Sequence, residues 1–172
     1  MDEDFTNETL DLRELPKYEN VAFMPLHPNF GKVVLINAAL FSLILAIGVT
    51  VFLVFMEEWR PYALYCILGA IVLIFLIFFF GYLSFKKKGF AVREHDILFQ
   101  HGIIAHVTTI VPFNRIQHVA LHQGWVSRIF NLAQIEVYTA GGDNSDMKID
   151  GIDKELAENI KQLLMQKIQN KI

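Results

Sequence analysis

The chain has 172 residues, of which 53% are hydrophobic and 19% charged, with a mean hydropathy of +0.37. A disordered chain or a nucleic-acid coat would be polar and heavily charged, so that composition excludes both. The net charge of −3 selects no partner, and the single cysteine, Cys66, leaves no intrachain disulfide to form.

Residues 1–20 carry Asp2, Glu3, Asp4, Glu8, Asp11, Glu14 and Glu19 against Arg13 and Lys17. They read as an acidic flexible tail, and the acidic start lacks the positive n-region of a cleavable signal peptide. Residues 21–32 mix apolar residues with Pro25 and Pro28 and read as an interfacial lead-in. Residues 33–56 and residues 62–85 hold no charged side chain. As helices each would be about 36 Å long, enough to cross a hydrocarbon core of about 30 Å. Lipid offers the backbone no hydrogen bonds, so both spans are expected to be helical. Residues 57–61 (Glu57, Glu58, Trp59, Arg60, Pro61) form the turn between them, with Trp59 suited to the headgroup belt. The turn has one basic residue, Arg60, whereas Lys32, Lys86, Lys87, Lys88 and Arg93 lie on the other side. Both termini are therefore expected in the cytoplasm and the turn outside. The spans' polar side chains, Asn37, Ser42, Thr50 and Ser84, include none that ionises. That argues against an ion or proton pathway.

Residues 86–172 read as one small α+β domain. Strands are expected at residues 86–92, 97–101, 103–111, 116–123 and 135–139, the last continued through Met147 and Ile149. Glu94-His95-Asp96 reads as a turn, and residues 125–132 place Val126, Ile129 and Phe130 at helical spacing. Gly141-Gly142-Asp143-Asn144 is a hairpin signal. Asp153 is a good N-cap for a helix with an apolar stripe of Leu156, Ile160, Leu163, Leu164 and Ile168. A lone amphipathic helix must bury its stripe, so an antiparallel barrel or sandwich plugged by that helix is the expected architecture.

Chemistry-bearing residues are sparse. His118 and His122 would suit zinc on a helix, but on a strand they stand about 13 Å apart, too far to share an ion. The strand alternation makes them ordinary strand histidines or a pH-sensitive surface. Asp143-Asn144-Ser145-Asp146 lacks the sharp-turn Gly and distant Glu of a calcium loop and reads as a plain turn. No nucleophile motif accompanies the carboxylates Glu136 and Asp150. No metal, cofactor or nucleic-acid site is expected. Arg115 sits at a strand junction, where it either fixes a turn or meets a partner domain or lipid phosphate. Trp125 and Arg128 share the short helix and are either packing residues or an exposed anchor. Lys86, Lys87 and Lys88 fit the positive-inside pattern and are also compatible with anionic lipid.

Four segments in order carry a likeness: Arg93-Glu94-His95-Asp96-Ile97, Val111 through Val119 (VPFNRIQHV), Thr139-Ala140-Gly141-Gly142, and Ile149-Asp150-Gly151-Ile152. With the two preceding spans and Met24-Pro25-Leu26-His27-Pro28, residues 21–170 resemble the YdbS-like family of bacterial membrane-flanked, pleckstrin-homology-like (PH-like) domain proteins. The resemblance implies a PH-like barrel with a C-terminal helix and no enzymatic activity. It also implies assembly as a homo-oligomer or with a larger YdbT-like membrane protein carrying several such domains, in envelope stress or antimicrobial-peptide resistance. Inositide-binding PH domains carry basic residues in the first hairpin; here Glu94-His95-Asp96 would repel a phosphate. The expectation is thus a non-enzymatic interaction module, with anionic headgroup recognition at the cytoplasmic leaflet as the alternative.

Overall fold

The computed structural model describes residues 21–140 and 147–169. The acidic tail, the calcium-like turn and the glycine pair Gly141-Gly142 lie outside the described residues. Two long helices, α1 (Phe30–Phe55) and α2 (Ala63–Lys86), form an antiparallel pair joined by a 3-10 stretch, Glu57–Tyr62. Both are long and apolar enough to cross a membrane. Their large apolar side chains, among them Phe41, Ile44, Leu64 and Phe75, point outward uncovered by protein. At the end holding Phe30 and Lys86 the helices approach through small residues. A Cβ on Gly31 would stand 3.1 Å from Phe85, and one on Gly81 3.3 Å from Val34. At the other end Trp59 packs between Phe52 and Tyr62, with ring centroids 5.7 and 6.2 Å away. Helix α1 begins at Phe30 rather than Val33, so Lys32 lies within its first turn.

Among the described residues the remaining elements are seven strands, two α-helices and a 3-10 turn. Strands β1 (Met24–Pro25), β2 (Gly89–Val92), β3 (Asp96–His101) and β4 (Val107–Pro112) form one antiparallel sheet in that order. Strands β5 (Ile116–His122), β6 (Leu132–Thr139) and β7 (Met147–Asp153) form a second. A short helix, α3 (Trp125–Ile129), links β5 to β6, and α4 (Lys154–Gln169) packs across the second sheet. One core joins the layers: Phe90, Ile97 and Phe99 from the first sheet, Ile135, Val137 and Ile149 from the second, and Ala157, Ile160 and Leu164 from α4. The architecture is the expected one: a membrane-type helical pair plus an antiparallel β domain closed by a C-terminal helix.

Several details depart from the expected pattern. Residues 21–32 are more than a lead-in, because Met24 and Pro25 pair with Phe90 and Gly89, and Leu26 is buried in the domain core. The domain therefore begins before α1, and α1 and α2 are inserted between its first two strands. Strand β4 starts at Val107, not Ile103. Gly102 turns at φ +111, where an added Cβ would lie 1.8 Å from the Ala105 carbonyl oxygen, so residues 102–106 form a tight turn. The short helix stops at Ile129 and Asn131 takes φ +55, which frees Leu132 to open β6. On α4 the buried stripe is Ala157, Ile160 and Leu164, while Leu156 and Leu163 face outward.

Strand direction gives the domain two ends. Strand β2 leaves α2, β3 returns, and Gln100 pairs with Gly89, so the turn at 102–106 lies at the helix end of the sheet. Strand β5 runs toward that end, where Val126 of α3 packs against Val33 of α1 and Leu132 of β6. Strand β7 reaches it too: Gly151 takes φ +68 beneath Phe30, and the His27 N–H donates to the Gly151 carbonyl at 2.8 Å. The Glu94-His95-Asp96 turn and Arg115 lie at the opposite end.

Candidate functional site

The helix end of the domain gathers most of the residues singled out from sequence. Lys86 is the last residue of α2 and Lys87 its C-cap, with both side chains exposed. Lys88 follows, and its Nζ donates to Asp150 Oδ2 on β7 at 3.2 Å. Val126 fastens α3 to α1, which leaves Trp125 (68% exposed) and Ile129 (72%) facing outward beside an exposed Arg128. At the tip of the 102–106 turn, Ile104 is 94% exposed. Their placement where α1 and α2 enter the domain suits a headgroup layer.

From sequence, Lys32 counted only toward orientation and not as a site residue. Its Nζ sits 5.9 Å from the Phe130 ring centroid, while Lys86 Nζ sits 5.2 Å from that of Tyr82. Neither has a carboxylate within ion-pair distance among the described residues. Between them, under β1, is a cleft of about 700 Å³ with apolar walls. The sequence signal for it was available in Lys32 and Leu35, one turn apart on α1, and Tyr82 and Lys86, one turn apart on α2.

Arg115 does not join this group. It closes the 3-10 turn Phe113–Arg115 at the far end of the domain with its side chain exposed, and its carbonyl accepts the Ala140 N–H at 3.3 Å. Its backbone thus braces the junction of β5 and β6. The histidine pair is divided as its strand spacing requires: His118 stacks on Tyr138 at 4.1 Å, and His122 Nε2 lies 3.5 Å from Glu136 Oε2. Among the described residues no three His, Cys, Asp or Glu side chains converge on a metal position.

A polar cluster that sequence reasoning did not resolve surrounds Glu136, on the outer face of the second sheet and buried all the same. The Tyr138 O–H donates to it at 2.6 Å, and Lys148 Nζ approaches at 3.2 Å. The Tyr138 hydrogen bond, aided by Lys148 and opposed by burial, holds the carboxyl below its ordinary range, and the same bond raises the Tyr138 phenol. The cluster is a tie across three strands, since Glu136 pairs with Ala120 on β5 and with Lys148 on β7.

The family model described as Bacterial PH domain matches residues 33–168, spanning both long helices and the domain behind them. The UPF0699 transmembrane protein YdbS of Bacillus subtilis (strain 168) is 30% identical over 158 residues, covering 87% of this chain and 91% of that protein. No solved structure matches the chain.

Proposed function

The chain belongs to the bacterial PH domain family, as a YdbS-like membrane protein, and from that premise we propose that it is a non-enzymatic module that assembles with copies of itself or with a larger YdbT-like relative. The observation that supports this reading is the outer edge of the first sheet. Among the described residues strand β4 pairs with β3 alone; it carries no charge and exposes Val107 and Ile110. Natural edge strands are blunted by lysines, bulges or interior prolines; an unguarded one is a template for a partner strand. The physiological setting proposed with it is envelope stress or antimicrobial-peptide resistance, in the cytoplasmic membrane. Bismaleimide crosslinking of Thr109→Cys in a Cys66→Ser background, in native membranes at native expression, tests the assembly. Crosslinked species that disappear in Ile110→Lys are expected, and monomer alone would refute it.

The second reading is recognition of anionic headgroups, supported by the grouping of Lys32, Lys86, Lys87, Trp125 and Arg128 at the helix end. Trp125 reports on it in a Trp59→Phe background. Its emission should be quenched by lipids brominated near the headgroup, more strongly in vesicles with phosphatidylglycerol and less at high salt. Emission indifferent to bromine, charge and salt would remove this reading.

A further inference from the structure

The cleft under β1 has a vertical order that repeats on both of its helices. On α1, Lys32 lies one turn above Leu35; on α2, Lys86 lies one turn above Tyr82, toward the domain in each case. An ammonium group above an apolar side chain, about 5 Å deeper, matches the order of phosphate and acyl chain in a phospholipid. Leu35 (40% exposed) and Tyr82 (45%) leave the cleft open along the helices, and the equally exposed Leu156 of α4 lines it from the domain. Lys88 is paired with Asp150, and Asp153, the carboxylate on the cleft wall, accepts the Glu155 N–H at 3.0 Å to cap α4 and keeps its negative charge against the two ammonium groups of Lys32 and Lys86. His27 Nδ1 accepts the Asn29 N–H at 3.2 Å, which leaves Nε2 as a donor on the cleft wall. The volume, about 700 Å³, is within the range of small-molecule sites and holds a headgroup, glycerol and the top of one chain.

We propose that this cleft binds one anionic phospholipid, its phosphate between Lys32 and Lys86 and one acyl chain along Leu35 and Tyr82. The proposal rests on the headgroup reading above and narrows it to a single stoichiometric site. Delipidated full-length protein in detergent micelles is titrated with phosphatidylglycerol, and separately with phosphatidylcholine of the same chains, and followed by native mass spectrometry. One saturable phosphatidylglycerol adduct is expected, several-fold tighter than phosphatidylcholine. Lys32→Gln and Lys86→Gln each weaken it about fivefold, the effect of one surface charge on anionic lipid. Lys154→Gln, at the start of α4 and outside the cleft lining, removes the same charge and leaves the adduct within about twofold of the parent, below that per-charge effect. Leu156→Trp fills the cleft without altering charge and abolishes the adduct; should that variant not fold, the three lysine variants still decide. Equal weakening by all three lysine changes, headgroup-blind binding, or displacement by inorganic phosphate alone overturns the proposal. So does a dimer lost in Leu156→Trp, which would make the occupant a second copy. Salt-sensitive quenching of Trp125 in a protein that takes up no stoichiometric phosphatidylglycerol refutes the cleft and leaves the broader headgroup reading standing.

Discussion

Gly151 shows how much can depend on one missing side chain. Its φ of +68 disfavours an L side chain, and an added Cβ would fall 2.3 Å from the Phe30 ring. Gly151→Ala should therefore destabilise the chain by about 1–3 kcal/mol in a detergent melt. The penalty should shrink in a Phe30→Ala background without vanishing, since the backbone cost remains; an unchanged penalty would place the strain in φ alone. Glu136 makes a different prediction. Its folded-state pKa lies below the ordinary 4.5, so its contribution to stability is complete above that value and is lost as pH falls through the depressed folded one. Tyr138→Phe removes the largest cause, and the variant should lose less melting temperature than the parent between pH 6 and pH 3, on the order of one linked proton or less. A steeper acid loss in the variant would contradict the assignment. The raised Tyr138 pKa acts at the other limit, holding stability up to about pH 10 and losing it above.

At the scale of elements, β1 does more than its two residues suggest. It continues into Leu26, 4% exposed and packed with Phe90 and Ile152 in the core. Leu26→Ala should cost about 2–5 kcal/mol, as for other buried leucines, although it lies upstream of both long helices. A change under about 0.5 kcal/mol, the range of surface substitutions, would mean that β1 is ornamental. No period can be read from two residues, so β1 was invisible in a sequence that displayed α1, α2 and the main strands plainly. Uncharged runs of helix length and strict strand alternation are strong signals because each reflects a whole face meeting lipid or core. The apolar, β-branched start at Ile103 imitated a strand by composition alone, but Gly102 at φ +111 opens a turn there and Ile104 faces outward. The site was half legible. Lys86, Lys87 and Lys88 stand together in sequence, but the cleft draws on β1, both long helices and α4, and only tertiary packing brings those together.

For the whole molecule, the pairing of β1 with β2 makes everything between Pro25 and Gly89 the loop of one β-hairpin. Both helix feet must then lie on the domain's side of the bilayer. Phe30 and Phe85 pack into the domain core and Val33 into its satellite, so the domain is held against the membrane rather than hung from a linker. Such a mounting fixes which end of the domain faces the bilayer and leaves β4 as the outer strand of its sheet among the described residues. The orientation proposed, with the domain in the cytoplasm, rests on charge. Arg60 is the one basic residue of the distal turn and lies 3.4 Å from Glu57, whereas Lys32, Lys86, Lys87 and Lys88 crowd the domain side. Translocating that cluster would be opposed at every lysine. In a Cys66→Ser background, Glu58→Cys should react with a membrane-impermeant maleimide in intact cells, while Lys167→Cys on α4 should react only after lysis. The reverse pattern would put the domain outside the cell and remove the cytoplasmic leaflet, its lipids and its partners from the account.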